Sequence, residues 1–89
     1  MSGESSALLH PETGARFVFD RVSEQPPRYR VAVYLPEFRT FACTLEWDDR
    51  GAARLDPEPS DAWVAGEVTK LARVLHRDPK LRLTRWRGE

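Results

Sequence analysis

The sequence predicts an α+β fold: an antiparallel β-meander of about four strands, followed by one amphipathic helix packed on one sheet face, with a short final strand as an optional addition. Two patterns predict this fold. Up to about residue 56, apolar residues alternate with polar ones, the period that sends strand side chains to opposite faces. After residue 60 the apolar spacing changes to three and four, which is typical of a helix with one buried side.

Four segments have the alternation and the β-branched and aromatic content of half-buried strands. They are residues 16–22, 28–35, 38–47 and 52–56. In the second segment, Tyr29 and Val31 belong to the apolar set and are expected to face the core. Arg28, Arg30 and Tyr34 lie at the alternate positions and are expected to face outwards. A proline-containing loop is predicted at 23–27, and a hairpin turn closed by a glycine at 48–51.

The helix is predicted to begin after Ser60 as the N-cap and to end before Pro79. Its expected buried stripe comprises Val64, Ala65, Val68, Leu71, Ala72 and Leu75. Glu67 and Lys70 are expected on the outer side, three residues apart, as a weak ion pair. Gly66 costs about 1 kcal/mol relative to alanine inside a helix. Close packing of helix on sheet would explain it, and the alternative is low local stability.

Eighty-nine residues are enough for one domain with a single two-layer core. We expect residues 1–7 to be a disordered N-terminus, with a short strand at Leu8 and Leu9, and residues 8–87 to form the domain. The longest apolar run is residues 31–35, too short to span a bilayer, and the N-terminus lacks the pattern of a secretory signal. With a single cysteine, no intrachain disulfide can form, and a cytoplasmic protein without membrane contact is predicted.

The charges are segregated along the chain although the formal net charge is zero. Residues 1–69 carry a net charge of −5, and residues 70–89 carry +5. Arginine outnumbers lysine by 12 to 2. A GC-rich bacterial genome would explain this bias, and the functional alternative is bidentate recognition of phosphate or carboxylate. The split permits a basic surface near the C-terminus in an otherwise acidic domain.

No sequence motif predicts a catalytic, cofactor or metal site. Cys43 alternates with Phe41 and Leu45, which is typical of a small buried residue, and no close pair of metal ligands accompanies it. His10 lies in a predicted turn and His76 near a helix C-terminus, so neither indicates a nucleophile–base pair. We therefore predict no catalytic residue, no cofactor and no metal, with a small enzyme of unknown reaction as one alternative.

The sequence favours a non-catalytic binding or regulatory module that acts through protein–protein contacts, with a homodimer as one form of it. The alternative is a single-stranded nucleic-acid-binding domain, in which the basic C-terminal segment and the outer sheet face supply arginines and a stacking aromatic ring. Aromatic and arginine side chains dominate both kinds of interface. The predicted binding surface comprises Arg28, Arg30, Tyr34, Arg82, Arg85, Trp86 and Arg87.

Overall fold

The computed structural model describes residues 10–89, so the disordered segment predicted at 1–7 and the strand predicted at Leu8 and Leu9 lie outside the described residues. The elements are β1 (Ala15–Glu24), β2 (Pro27–Tyr34), β3 (Thr40–Trp47), β4 (Ala53–Asp56), α1 (Ala62–Arg77) and β5 (Arg82–Arg87). Neighbouring strands are antiparallel, in the order β4-β3-β2-β1-β5. The predicted α+β fold is confirmed, and β5 is a strand that pairs with β1 at the far edge of the sheet.

The helix covers one sheet face, because its apolar stripe and the odd-numbered strand residues bury each other. Near the helix N-terminus the ring centroid of Trp63 lies 6.2 Å from that of Phe17 in β1. Near its C-terminus the imidazole of His76 lies 5.4 Å from the indole of Trp47 at the end of β3. The side chains that form this core are Phe17, Phe19, Tyr29, Val31, Val33, Cys43, Leu45, Val64, Val68, Leu71, Ala72, Leu75 and Leu83, with Ala15 at its margin.

The predicted turn between β3 and β4 is confirmed. The Asp48 carboxylate accepts hydrogen bonds from the backbone N–H groups of Ala52 and Arg50, both at 2.9 Å. Gly51 has a φ of +81°, which a glycine adopts without a steric penalty. These backbone donors stabilise the charged form and lower the pKa of Asp48 below its usual range.

Two strand ends differ from the expectation. The loop predicted at 23–27 is a tighter hairpin, because Ser23 pairs with Arg28 and Glu24 with Pro27 after a register shift between Arg21 and Ser23. Val22 is the extra residue at that shift and has no partner in β2.

The strand predicted from Phe38 begins instead at Thr40. Glu37 and Phe38 have φ values of 63° and 61°, which lie in the left-handed region and do not continue a strand. Their turn is closed by the backbone N–H of Leu35, which donates to the Arg39 carbonyl at 2.9 Å. Phe38 is consequently 67% exposed beside the end of the sheet.

The N-cap of α1 is Asp61, and the prediction of Ser60 is wrong by one residue. The Asp61 carboxylate accepts the backbone N–H groups of Trp63 at 2.8 Å and Val64 at 3.2 Å. Aspartate is as good an N-cap as serine, and its negative charge also suits the positive end of the helix dipole.

We expect Asp61→Ala to lower the free energy of unfolding by about 0.5–2 kcal/mol, because two helix N–H groups lose their acceptor. The matched control is Ser60→Ala, whose side chain is exposed and caps nothing in this structure. Urea denaturation of the three proteins measures the difference. Equal destabilisation by the two substitutions would show that the cap is shared or misplaced.

Three helix positions differ from the predicted pattern. Glu67 is buried, and Ala65 is only half-buried, so the stripe includes a carboxylate in place of that alanine. The predicted ion pair with Lys70 is present at 2.9 Å; the Lys70 side chain is exposed as expected, whereas the Glu67 side chain is not. Glu67 also lies 3.5 Å from Arg87 Nε, because β5 returns beside the helix and covers it. Gly66 is exposed, and a Cβ there would meet no described atom within 4 Å, so close packing does not explain it.

Candidate functional site

No helix or strand among residues 10–89 covers the sheet face opposite α1, and the centre of this face carries small side chains. The register aligns Thr84, Val18, Ala32 and Ala42 across β5, β1, β2 and β3. We call these four residues the floor. Ala42 and Thr84 are exposed, Ala32 is half-buried, and Val18 is only 4% exposed. The floor is therefore a row of small side chains across four strands.

An aromatic rim bounds the floor on one side. Two residues further along each strand, the register aligns Trp86, Arg16 and Tyr34, and we call these three the aromatic rim. Trp86 is 49% exposed, and its indole N–H donates to the Thr13 carbonyl at 3.0 Å. The ring of Tyr34 meets the edge of the His10 imidazole at 5.3 Å. Both aromatic rings are thus held in place while part of their surface remains open to a ligand.

A charged rim bounds the floor on the other side. It consists of Arg82, Asp20 and Arg30, which the register aligns across β5, β1 and β2. Arg82 and Asp20 form an ion pair at 3.3 Å. Arg30 is exposed and pairs with none of the acids in residues 10–89. Arg30 is therefore a cation on this rim that is available to a carboxylate from outside.

Beyond the charged rim, Arg28 faces Glu46 of β3. Its Nε lies 3.4 Å from Glu46 Oε2, but the N–H is buried and has no hydrogen-bond partner among the described atoms. The two side chains remain partly exposed, so this surface ion pair contributes little to stability.

The structure groups five of the seven residues predicted for the binding surface, and it separates the other two from them. Those on the outer face are Arg28, Arg30, Tyr34, Arg82 and Trp86. Arg85 and Arg87 pair across the strands with Phe17 and Ala15, so they lie on the helix side. The reason is the alternation within β5, which puts Arg82 and Trp86 on one face and Leu83, Arg85 and Arg87 on the other.

Sequence reasoning missed the floor and two rim residues, Arg16 and Asp20. Val18 and Asp20 alternate with Phe17 and Phe19 in the sequence, and this alternation indicates that the two lie together on the opposite side of β1 from the phenylalanines. The order of the strands was needed to set them beside Thr84 and Arg82, and that order cannot be obtained from the spacing within one strand.

The two sheet edges differ. Arg85 Nη1 donates to the Thr84 carbonyl at 2.8 Å, and Arg87 Nη1 to the Trp86 carbonyl at 3.2 Å. These guanidinium groups cover backbone acceptors of the β5 edge strand and oppose pairing with another chain. At the other edge, β4 pairs with Thr44–Trp47 only and leaves the first half of β3 without a partner strand among residues 10–89. The β5 edge is therefore less open to strand pairing than the first half of β3.

The nucleophilic and metal-binding groups are dispersed. Burial, followed by the charge of Asp56, raises the pKa of the Cys43 thiol to about 11. His10 Nδ1 lies 2.7 Å from the Leu35 carbonyl, and His76 packs on Trp47. Among residues 10–89, no three histidine, cysteine, aspartate or glutamate side chains come together as a metal-binding group. None of the described residues forms a helix long and apolar enough to span a bilayer.

We expect the Cys43 thiol to react with iodoacetamide far more slowly in the native protein than in urea at pH 8. The thiolate is the reactive form, and burial disfavours it. Because the folded-state pKa lies above the ordinary value of 9.0, the thiol of the unfolded chain ionises at a lower pH than the thiol of the folded protein. The contribution of Cys43 to the free energy of unfolding is therefore fully present below pH 9 and is lost as the pH rises towards 11. Mass spectrometry of the alkylated protein measures the rates. Equal native and unfolded rates would contradict the buried position.

No protein-family model, curated protein or solved structure matches this chain. Its function is therefore inferred from its own surfaces.

Proposed function

We propose that this chain is a non-catalytic protein-interaction module of the bacterial cytoplasm and that it binds its partner through the outer sheet face. One observation carries the proposal: a floor of small side chains lies between an aromatic rim and a charged rim, on a face that no described element covers. The lone, buried Cys43 is compatible with a reducing compartment.

The side chains around the floor are those that dominate protein interfaces. Tryptophan, tyrosine and arginine are enriched at binding hot spots, where most of the affinity resides. Trp86 and Tyr34 are already held by contacts with Thr13 and His10, so little conformational entropy would be lost when a partner packs on them. The small floor residues allow the partner's main chain or apolar side chains to approach the sheet closely.

The charges on the rim specify part of the partner's chemistry. Arg82 is already paired with Asp20, whereas Arg30 pairs with no described acid. A matching partner presents apolar side chains to the floor, flanked by a carboxylate within reach of Arg30. Such a guanidinium–carboxylate contact is bidentate and fixes orientation as well as adding affinity.

A second copy of the chain has this chemistry. Arg30 and Asp20 are direct neighbours on β2 and β1. In such a dimer the two copies pack face to face, and the two-fold axis runs between the two sheets, parallel to the strands and midway between β1 and β2. A rotation about this axis places Arg30 of one copy opposite Asp20 of the other. Sheets that pack face to face lie about 10 Å apart, which suits a floor of alanine, valine and threonine. A homodimer with two-fold symmetry is therefore one form of the proposed function.

Single-stranded nucleic acid is the second candidate, because Trp86 and Tyr34 flank Arg16 in one row, as in a stacking platform. Less of the basic C-terminal segment is available than the sequence suggested. Arg85 and Arg87 lie on the other face, and Arg87 is paired with Glu67. A gel shift with single-stranded DNA and RNA at about 50 mM salt tests this candidate, since low salt favours phosphate contacts.

The main test compares the wild type with three variants in quantitative capture from a bacterial lysate. Ala42→Arg places a long charged side chain on the exposed floor, and Trp86→Ala removes a rim residue. Gly66→Arg makes the same gain of charge on the exposed outer side of α1 and is the control. We expect a partner that binds the wild type and Gly66→Arg equally and is lost with the two face variants. At a hot spot, Trp86→Ala costs about 2 kcal/mol, or roughly thirtyfold in Kd.

Two results would contradict the proposal. One is a partner retained equally by all variants, which would locate binding elsewhere. The other is enrichment of a small metabolite together with its reaction product, which would indicate an enzyme.

Sedimentation equilibrium of the same variants tests the homodimer. The homodimer requires that Ala42→Arg lower the self-association constant while Gly66→Arg leaves it unchanged.

A further inference from the structure

Two arginines on the exposed side of α1 lie one helical turn apart and lack counter-ions. Arg73 and Arg77 are both exposed, and neither forms an ion pair with an acid in residues 10–89. Residues four apart on a helix are neighbours, with their Cβ atoms about 5–6 Å apart. Like charges at this spacing destabilise a helix by about 0.2–0.5 kcal/mol, so the isolated domain does not gain stability from the pair.

A cleft separates these arginines from the β3–β4 turn. Gly51, Arg73, His76 and Arg77 line it, and its volume is about 390 Å³. Small-molecule sites in proteins are typically about 300–1,000 Å³. The cleft is open on the helix side of the molecule, so a ligand here would leave the floor and both rims uncovered.

The third basic side chain of the cleft is held in position. The His76 ring packs against the Trp47 indole at 5.4 Å, with 38° between the ring planes. On its other side it approaches the turn, where a Cβ on Gly51 would lie 3.2 Å from His76 Cε1. The imidazole thus packs against Trp47 on one side, and on the other side Gly51 leaves room for it because glycine has no Cβ. His76 lines the same cleft as the two arginines.

We propose that this cleft binds a small phosphate ligand, either inorganic phosphate or the phosphate monoester of a small molecule. Two guanidinium groups and an imidazole supply more N–H donors than one carboxylate can accept, and they suit an oxyanion with three or more oxygen atoms. Arginine is the side chain best suited to bidentate contacts with phosphate. This site is separate from the proposed interaction surface and does not depend on it.

The test is an NMR titration of the full chain labelled with nitrogen-15, with inorganic phosphate, glycerol 3-phosphate and chloride added separately at matched ionic strength. We expect saturable shifts of the amides of Gly51, Arg73, His76 and Arg77 with the two phosphates and none with chloride. The double variant R73Q/R77Q is expected to weaken binding at least tenfold. Both residues are exposed, so the variant should fold, and its circular dichroism spectrum checks this.

The matched control is R39Q/R85Q, which removes the same charge from two exposed positions outside the cleft, the floor and both rims. It is expected to keep the wild-type affinity for phosphate. Tighter binding of glycerol 3-phosphate than of inorganic phosphate would identify a monoester as the ligand, and equal binding would identify inorganic phosphate. The proposal fails if chloride produces the same shifts, if the shifts spread over all arginines, or if the two double variants bind phosphate equally.

Discussion

We expect Tyr29→Ala to lower the free energy of unfolding by about 3–5 kcal/mol, as truncation of large buried aromatic side chains does. The Tyr29 side chain is fully buried under the helix, and its ring meets the Trp47 indole edge-on at 5.8 Å. Small domains are stable by about 5–15 kcal/mol in total, so this loss would be a large part of the whole. Urea denaturation followed by circular dichroism measures it.

The control Tyr29→Phe separates the hydroxyl from the ring. The Tyr29 hydroxyl donates to the Lys80 carbonyl at 2.7 Å and so ties the connection between α1 and β5 to β2. Losing one such hydrogen bond costs about 0.5–1.5 kcal/mol. We therefore expect Tyr29→Phe to retain most of the stability. Equal losses for the two variants would show that the hydrogen bond, and not the packing of the ring, dominates at this position.

Gly14→Ala and Gly66→Ala are expected to change stability in opposite directions. Gly14 has a φ of +71°, and a Cβ there would collide with the Arg87 carbonyl oxygen, in the backbone of β5. The left-handed conformation and the displacement of that backbone together are expected to cost about 2–4 kcal/mol. Gly66 lies in the exposed interior of α1 with open space at its Cβ, so alanine there should add about 0.5–1 kcal/mol.

Thermal and urea unfolding of the two glycine variants provide the measurement. Hydrogen exchange of the β5 amides shows in addition whether Gly14→Ala loosens the β1–β5 pairing. Destabilisation by both substitutions would indicate that Gly66 packs against a surface outside residues 10–89. Tolerance of Gly14→Ala would contradict the close approach of Gly14 to Arg87.

Much of the architecture follows from local patterns. Alternation in β2 placed Tyr29 and Val31 in the core and Arg28 and Arg30 outside, and the structure has them there. Local patterns failed where a distant contact decided the outcome. Glu67 was expected on the outer side of the helix, but β5 returns beside it and buries its carboxylate between two cations.

The candidate surface was predicted in part. Alternation within β2 correctly put Arg30 and Tyr34 on one face, because a strand's period of two is a local property. The C-terminal basic segment was treated as one unit, although a strand must divide its residues between two faces. Only pairing of β5 with β1 could show that Trp86 shares the outer face with Arg16, whereas Arg87 pairs with Glu67.

The amino-acid sequence by itself determined the strand faces, the apolar stripe of the helix, the glycine turn at Gly51 and the helix end before Pro79. These features depend on interactions between residues a few positions apart. Only the tertiary structure decided which side chains form the floor and the rims, and which cations enclose the cleft beside Gly51. Both surfaces bring together residues from distant parts of the chain, and the order of the strands and the packing of the helix set their distances.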